Sequence, residues 1–474
     1  MSARLPTSDR EGGSFLPDST RGPGRLLDLY GRLLGPLLAG YLLFDRAFAY
    51  LHPPGTPFYI GEIVLGAGVL GVLGATGYLR IPMRDEPLLA LLTVFVLWGF
   101  VRAVPGMAEY GMDAIRDSAL WYYCLFAFLG VAALARSPDL PDRLVVQLRR
   151  LAPWLLLWLP AALLLGPAAE KAPYVPFSTV SVLSHKPGNA AIAALLVLGF
   201  LWLIRDDRSS TRRMAWSVLA LTVILLSATQ NRGGLLGVAA GATIGLLFLK
   251  DRLRLGIQAV LLISVTVGFV SFLRIDIPLA GIQGRTFSVS QLVDNIGSLG
   301  GGDAEGNLDG TVEGREQLWS KIIAKQVGEG HLIDGSGFGQ NLASEVGVYD
   351  AGKESLRSPH NSHLHILARM GVVGFSLWVV LWAAWYWRLV SGARRLGRQA
   401  LHARRQFAVL CLVVVTAILI SSIFDPQLEG PQIAVLLWTA FGLGVGVTTK
   451  RAWLDGGAPV SRSPDGTQPA QGRR

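Results

Sequence analysis

Apolar runs of about 20 residues recur along this 474-residue chain, and they constrain its fold more than any other feature. A run of this length can cross the hydrocarbon core of a bilayer as a helix whose backbone hydrogen bonds are all internal. Only 16% of the residues are charged, too few to cover a soluble protein of this size. The pattern predicts an all-α polytopic membrane protein. About twelve spans are expected, at 33–51, 59–79, 87–103, 118–135, 151–168, 188–204, 214–229, 232–249, 255–273, 366–387, 406–424 and 430–448.

The basic residues predict the orientation of these spans. With both termini in the cytosol, 29 of the 43 Lys and Arg residues fall in cytosolic segments. This is the bias that the positive-inside rule describes for short loops. The net charge of +10 is therefore attributed to membrane topology, and no nucleic-acid partner is expected.

The spans divide the chain into five regions. Polar tails at 1–24 and 451–474 are expected to be disordered and cytosolic. Spans 1–9 occupy 25–274, a large outward-facing loop occupies 275–360, and spans 10–12 occupy 361–450. A loop of this length in a compact protein is usually functional or disordered. Its second half predicts a helix, since apolar residues recur there at three- and four-residue spacing, namely Leu318, Ile322, Ile323 and Val327.

Several basic side chains lie on the predicted outer side, against the charge bias. Arg232 precedes Gly233 and Gly234 at the start of a span, where free backbone N–H groups can bind an anion. An arginine there can also form a bidentate contact with phosphate. The alternative for Arg232 is an interfacial side chain that reaches toward lipid headgroups. Three further cations share this side: Arg315, which could equally be a solvated helix charge, Arg285 and Lys186.

Three of the seven histidines, His360, His363 and His365, fall within six residues where the loop enters a span. Ser358 is expected to be the N-cap of that span, which would put His360 in the first helical turn, where the helix dipole favours a neutral imidazole. The spacing lacks the i, i+4 pair typical of zinc sites, so no metal is expected. A general base at His360 and a structural histidine cluster remain as the two interpretations.

Two acids and two cysteines complete the polar inventory of the spans. Asp425 and Glu429 in "FDPQLEGP" either belong to the site or cap the last helical hairpin. Cys124 and Cys411 lie inside apolar runs and are expected to be small buried hydrophobes rather than a disulfide.

The region from about 220 to 375 resembles the O-antigen ligase and O-antigen polymerase superfamily. The resemblance is carried by His360, Asn361, Leu364, Leu367, Gly371 and Gly374, in the pattern His-Asn-x-x-Leu-x-x-Leu-x-x-x-Gly-x-x-Gly. Upstream, "NRGGLLG", "GREQLW" and "GHLIDGSGFGQN" are similar to the family's span-opening arginine, loop arginine and glycine-turn motifs, in the same order.

The resemblance implies a type C glycosyltransferase-like fold in the bacterial inner membrane, with its active site and large loop on the periplasmic face. It implies an undecaprenyl-diphosphate-linked glycan as donor, a glycan or lipid A core as acceptor, and no metal or other cofactor. The catalytic residues would be His360 as base, with Arg232 and Arg315 on the diphosphate. Substrate-binding roles are expected for four further residues, Asn361, His363, Arg285 and Lys186.

Two points limit what the resemblance predicts. Many members carry an acidic residue two positions before the first motif glycine, and here that position is Arg369. The same motifs serve ligases and polymerases, since only the acceptor differs. A ligase-like enzyme is favoured here, with an O-antigen or exopolysaccharide polymerase as the alternative. A transporter of lipid-linked or anionic sugars is a second alternative, although no repeated halves are evident.

Overall fold

A computed structural model describes most of the chain, namely residues 24–75, 86–165, 171–178, 180–204, 210–249, 251–272, 277–278, 286–287, 308–347 and 357–449. Within these ranges the protein is almost entirely helical. The predictions of disordered tails at residues 1–23 and 451–474, and of a substrate-binding role for Arg285, concern residues outside the described ranges.

The helices of the first half follow the apolar runs closely. They are α1 (Arg25–Ala49), α2 (Ile60–Ala75), α3 (Pro87–Tyr110), α4 (Met112–Asp117), α5 (Ala119–Tyr122), α6 (Leu125–Arg136), α7 (Leu140–Leu165), α8 (Pro187–Leu203) and α9 (Ser210–Ala228).

The second half contains the connection that precedes the histidine cluster. Its helices are α10 (Arg232–Leu247), α11 (Arg252–Phe272), α12 (Leu308–Gly328), α13 (Leu342–Glu345), α14 (Ser362–Arg398), α15 (His402–Ser421) and α16 (Pro431–Val447). Between α11 and α12, β1 (Ile277–Pro278) pairs antiparallel with β2 (Thr286–Phe287).

Six of the described helices are long and apolar enough to cross a membrane, namely α1, α3, α7, α9, α14 and α15. A seventh span is possible if α4–α5 and α6, which meet at an angle of 47°, are counted as one bent unit. Four more apolar helices are shorter: α2, α8, α10 and α16. These helices and α11 match the twelve predicted runs. The polytopic, all-helical class is thus confirmed, and the count of twelve spans stays a prediction.

Close helix packing in the bundle depends on glycines of α10. A Cβ at Gly237 would lie 2.4 Å from the carbonyl oxygen of Ala417, and one at Gly241 would lie 2.7 Å from that of Val413. Small residues at such positions let two backbones approach, which is how helices associate in lipid, where the hydrophobic effect does not drive them together. Because α15 follows the histidine-bearing helix α14 directly, this contact joins the starts of α10 and α14 into one unit.

The helix α14 is interrupted at Gly371, whose φ of 66° and ψ of −172° are not helical. The segment 332–337 fills the gap and supplies the missing hydrogen bonds. The Val372 N–H donates to the Leu332 carbonyl at 2.9 Å, and the Ser336 N–H donates to the Ala368 carbonyl at 2.8 Å. The glycine-rich turn of the long loop is therefore attached to α14 one turn after the histidines.

The predicted loop helix is α12, and two of the four apolar residues that predicted it are buried. Leu318 and Ile322 are buried against Leu342, Ala343 and Ala368. Ile323 and Val327 are 41% and 57% exposed, because α12 packs through one narrow face only. The two cysteines, Cys124 and Cys411, are both free and buried, as predicted.

Candidate active site

His360 does not lie in a helix, which corrects the predicted start of α14. The N-cap is Asn361 rather than Ser358, since the Asn361 side chain accepts hydrogen bonds from the N–H groups of His363 and Leu364, both at 3.0 Å. His360 precedes this cap with a φ of 53°, a left-handed conformation that is uncommon for residues other than glycine. A strained backbone of this kind persists only where the surroundings hold it.

Helix α12 holds the segment that carries His360. The Trp319 indole N–H donates to the Pro359 carbonyl at 2.7 Å, so the loop helix binds the residue directly before His360. Arg315 lies four residues before Trp319 and therefore on the same face of α12. Its positive charge acts on His360. The predicted loop arginine and the predicted base thus lie together.

The loop between α15 and α16 forms the other wall of the site. Asp425 accepts a hydrogen bond from the Asn231 side chain at 3.3 Å and lies 3.7 Å from the Lys186 ammonium group. The Ser362 hydroxyl donates to the Asp425 carbonyl at 3.3 Å. The starts of α8, α10 and α14 are therefore tied to one carboxylate-bearing turn.

Arg232 stands at the first position of α10, next to this turn. Its neighbour Asn231 is the N-cap and accepts a hydrogen bond from the Gly234 N–H at 2.8 Å. The helix start is packed too tightly for side chains at two positions. A Cβ on Gly234 would lie 2.8 Å from the Cα of Gly188, and one on Gly233 would lie 2.6 Å from Phe424.

Four charged groups determine the protonation of His360. Burial lowers the pKa of its imidazole, the carboxylates of Glu429 and Asp425 raise it, and Arg315 and Lys186 lower it again. The net effect is a pKa below the ordinary histidine value, so the ring is neutral at neutral pH and can accept a proton. The neutrality expected from a helix dipole is thus produced by burial and neighbouring charges instead.

Glu429 is ionised despite its burial. Burial alone raises the pKa of its carboxyl group, but the interaction and hydrogen bond with His365, the hydrogen bond with Ser358 and the nearby His360 hold that pKa below the ordinary value. The His365 Nδ1 atom lies 2.8 Å from Glu429 Oε1. The sequence assigned no separate role to His365 and left the role of Glu429 open. Only the fold brings them together, because they are 64 residues apart.

His363 contacts the interior of the bundle. Its Nδ1 accepts a hydrogen bond from the Trp378 indole at 3.0 Å, so the ring proton is on Nε2, which donates to the Leu419 carbonyl at 2.9 Å. Both ring nitrogens are thereby engaged. The side chains of Asn361 and His363 thus hold the start of α14 in place. Their predicted contact with substrate stays a prediction.

Arg369 is fully buried and fastens the glycine turn to α14. Its guanidinium group donates to Asp117 at 2.7 Å and to the carbonyls of Gly337 and Gln340 at 3.1 and 2.7 Å. Its Nε–H donates to His365 Nε2 at 3.0 Å. Neither its burial nor its partners were evident from the sequence, because Asp117 and the turn are remote along the chain.

Lys186 is positioned by a buried acid in the first span. Asp45 is 1% exposed and interrupts α1 with a φ of 44°. Its carboxylate accepts hydrogen bonds from the Lys186 N–H and from the Asn189 side chain, both at 2.6 Å. The sequence alone did not indicate this role, because Asp45 and Lys186 are 141 residues apart.

The predicted site residues largely converge. His360, Asn361, Arg315 and Lys186 lie around the turn that carries Asp425 and Glu429, and Arg232 begins the helix beside it. No group of three or more His, Cys, Asp or Glu side chains that could hold a metal ion is found within the described ranges.

Comparison with known families agrees with this arrangement. Residues 217–379 match the family model described as O-antigen ligase. All four motifs on which the resemblance rests lie within this range. Three of them contribute a charged or titratable side chain, namely Arg232, Arg315 and His360, and the fourth is the glycine turn. No curated protein matches the chain. The match confirms the resemblance derived from the sequence and supports enzyme activity of the glycosyltransferase kind.

Proposed function

From the match of residues 217–379 to the family model described as O-antigen ligase, we propose that this membrane protein is a ligase-like glycosyltransferase. It would move a glycan from an undecaprenyl-diphosphate carrier to an acceptor hydroxyl on the periplasmic face of the inner membrane. No metal ion takes part in this proposal, and lipid A core is the favoured acceptor.

One observation carries the proposal. A neutral, partly buried imidazole at His360 lies between the cations Arg315 and Lys186 and the anions Asp425 and Glu429. Attack of a hydroxyl group on a phosphate-activated sugar requires a base that accepts the hydroxyl proton. It also requires fixed positive charge that stabilises the leaving phosphate.

The reaction follows from these positions. His360 takes the proton of the acceptor hydroxyl as that oxygen forms a bond to the anomeric carbon of the donor glycan. The bond from this carbon to the diphosphate oxygen breaks, and its electron pair leaves with the lipid diphosphate. Direct displacement of this kind inverts the anomeric configuration.

The cations stabilise the leaving group. Arg232 and Arg315 are proposed to bind the diphosphate, with the free N–H groups at the start of α10 as further donors. Lys186 and Arg285 are proposed to contact the same anionic region. Asn361 and His363 act by holding the start of α14 and with it His360.

The experiment that tests the function is complementation of a null strain. His360→Ala is expected to abolish glycan on lipid A core, and His402→Ala, an exposed histidine at the start of α15, is expected to restore it. Glycan electrophoresis separates the outcomes. Core that lacks all ladder in the mutant indicates a ligase, a single-repeat product indicates a polymerase, and a normal ladder would refute the base assignment.

A second substitution addresses the diphosphate. Arg232→Lys keeps the charge but loses the planar, bidentate fork, so donor use is expected to weaken while the protein still reaches the membrane. Unchanged transfer at limiting donor would argue against a contact between Arg232 and the diphosphate.

A further inference from the structure

A chain of polar side chains runs from the interior of the protein to Glu429, and the mechanism above gives no role to three of its members, Asp117, Arg369 and His365. Asp117 accepts from Arg369 Nη2 at 2.7 Å, Arg369 Nε donates to His365 Nε2 at 3.0 Å, and His365 Nδ1 lies 2.8 Å from Glu429 Oε1. Arg369 and His365 are 0% and 2% exposed. Buried polar groups are costly unless their hydrogen bonds are satisfied, so the completeness of this chain calls for a role.

The direction of each hydrogen bond is determined by chemistry. Arginine has only donors, so the Nε2 atom of His365 must accept. The single proton of the neutral ring is then on Nδ1 and is donated to Glu429. Arg369 thus selects the tautomer of His365, because a donor at one ring nitrogen leaves the proton on the other.

Glu429 is connected to His360 in two ways. The Leu428 N–H, directly before Glu429, donates to the hydroxyl of Ser362, two residues after His360, at 3.3 Å, and the Ser358 side chain interacts with the Glu429 carboxyl group. The negative charge of Glu429 also acts on the His360 ring, more strongly than that of Asp425 and against the positive charges of Arg315 and Lys186. These four groups are the charges that face His360 from α8, α12 and the turn between α15 and α16.

We propose that Glu429 is a positioning residue for His360, and that Arg369 and His365 hold its carboxylate for this purpose. The inference rests on the proposed role of His360 as the base. When His360 takes the acceptor's proton it becomes a cation in a partly buried site flanked by Arg315 and Lys186. The fixed carboxylate of Glu429 offsets that charge, and the Ser358 contact keeps the segment of His360 in its left-handed conformation.

The arrangement is comparable to a catalytic triad, in which an acid orients and stabilises the base without being protonated itself. The acid acts here through charge and through the neighbouring backbone rather than through a direct bond to the ring. Arg369 acts one step further away, since its Nε–H donates to His365 Nε2 and so directs the ring proton of His365 toward Glu429.

The test measures the protonation of His360 directly. The purified protein in lipid nanodiscs is treated with diethyl pyrocarbonate over a range of pH, and the rate of modification at His360 is followed by mass spectrometry. Glu429→Gln is expected to lower the pH midpoint of modification by about one unit, since it removes the negative charge that acts most strongly on His360. Glu329→Gln, at the far end of α12, is the matched control and is expected to leave the midpoint unchanged.

Two more variants separate positioning from simple structural support. Glu429→Asp keeps the charge and is expected to restore part of the midpoint shift. Arg369→Lys loses the Nε contact with His365 and is expected to move the midpoint in the same direction as Glu429→Gln, by a smaller amount. Thermal melting of each variant reports whether it is folded. An unchanged His360 midpoint in folded Glu429→Gln protein would overturn the inference.

The measurement needs no glycan, so it is independent of the proposed function. If Glu429→Gln shifts the midpoint but His360→Ala still transfers glycan in cells, the electrostatic coupling stands and the assignment of His360 as base fails. If His360→Ala abolishes transfer and the midpoint does not move, the role of Glu429 alone is refuted.

Discussion

At the scale of single residues, the neutral state of the His360 imidazole depends on its surroundings rather than on a position in a helix. A histidine in the first turn of α14 would be held neutral by the helix dipole, as the sequence predicted. The observed residue precedes the N-cap, has a φ of 53°, and is kept neutral mainly by burial. The prediction of a neutral base thus stays the same, but its physical cause changes.

The pH dependence of transfer follows from this cause. Burial lowers the pKa of His360, so its neutral form persists to lower pH than in an ordinary histidine. Glycan transfer in isolated membranes is expected to be constant from neutral pH down to the ordinary histidine pKa of about 6.5, and to fall only below it as the ring becomes protonated. A decline that begins well above that pH would contradict the environment described for His360.

The cations of the candidate site were recognisable from the sequence alone. Arg232, Arg315 and Lys186 were recognisable because cations on the outer side run against the positive-inside bias. Glu429, His365 and Arg369 were not, because their roles arise from contacts between segments remote in the chain. The hydrogen bonds of His363 to Trp378 and Leu419 were equally invisible in the sequence, and its predicted contact with substrate stays a prediction.

At the scale of elements, the break in α14 couples the long loop to the active site. Gly371 interrupts the helix, and the segment 332–337 completes the hydrogen bonds on both sides of the break. Small residues such as the motif glycines Gly371 and Gly374 are expected to serve close helix packing. That holds for Gly374, which faces Trp98, whereas Gly371 accommodates the loop. A helical periodicity cannot reveal an interruption that a distant segment fills.

Gly371→Ala should therefore destabilise the protein and weaken transfer together. Its backbone, with φ of 66° and ψ of −172°, lies in a region that is essentially restricted to glycine, and a residue with a Cβ there costs about 1–3 kcal/mol. In addition, that Cβ would lie 2.1 Å from the Ile333 carbonyl oxygen. A lower melting temperature in detergent is expected.

Gly66→Ala is the control for this substitution, because a Cβ at Gly66 in α2 meets no atom within 4 Å. It should melt at or above the wild-type temperature. Equal melting temperatures for Gly371→Ala and wild type would show that the break in α14 is not required.

At the scale of the whole molecule, the first span contributes to a site that lies mainly in the second half. Asp45 in α1 fixes the Lys186 segment, and Lys186 in turn lies 3.7 Å from Asp425. The family match begins only at residue 217, so this contribution comes from outside the matched region. The apolar runs predicted the helices of this half well. Their mutual packing, and hence the contact to the site, does not follow from a periodic pattern.

Asp45→Ala is expected to reduce transfer without removing any group that contacts the substrate. It leaves the Lys186 N–H and the Asn189 amide without their acceptor, and an unsatisfied buried donor costs about 1–3 kcal/mol. Glycan transfer at low donor concentration should fall more than transfer at saturating donor, because Lys186 is displaced. Asp139→Ala, an exposed acid paired with Arg143, is the control. Identical donor dependence in the two variants would separate Asp45 from the site.

The central claim, that His360 is the base of a glycan transfer, is tested most directly with the purified protein. Wild type, His360→Ala and His402→Ala are reconstituted in nanodiscs with lipid-linked glycan extracted from the null strain and with lipid A core. The release of undecaprenyl diphosphate is then followed. A general base contributes about 10²- to 10⁴-fold, so His360→Ala should be slower by at least a hundredfold, while His402→Ala should match wild type. Wild-type rates for folded His360→Ala would contradict the account.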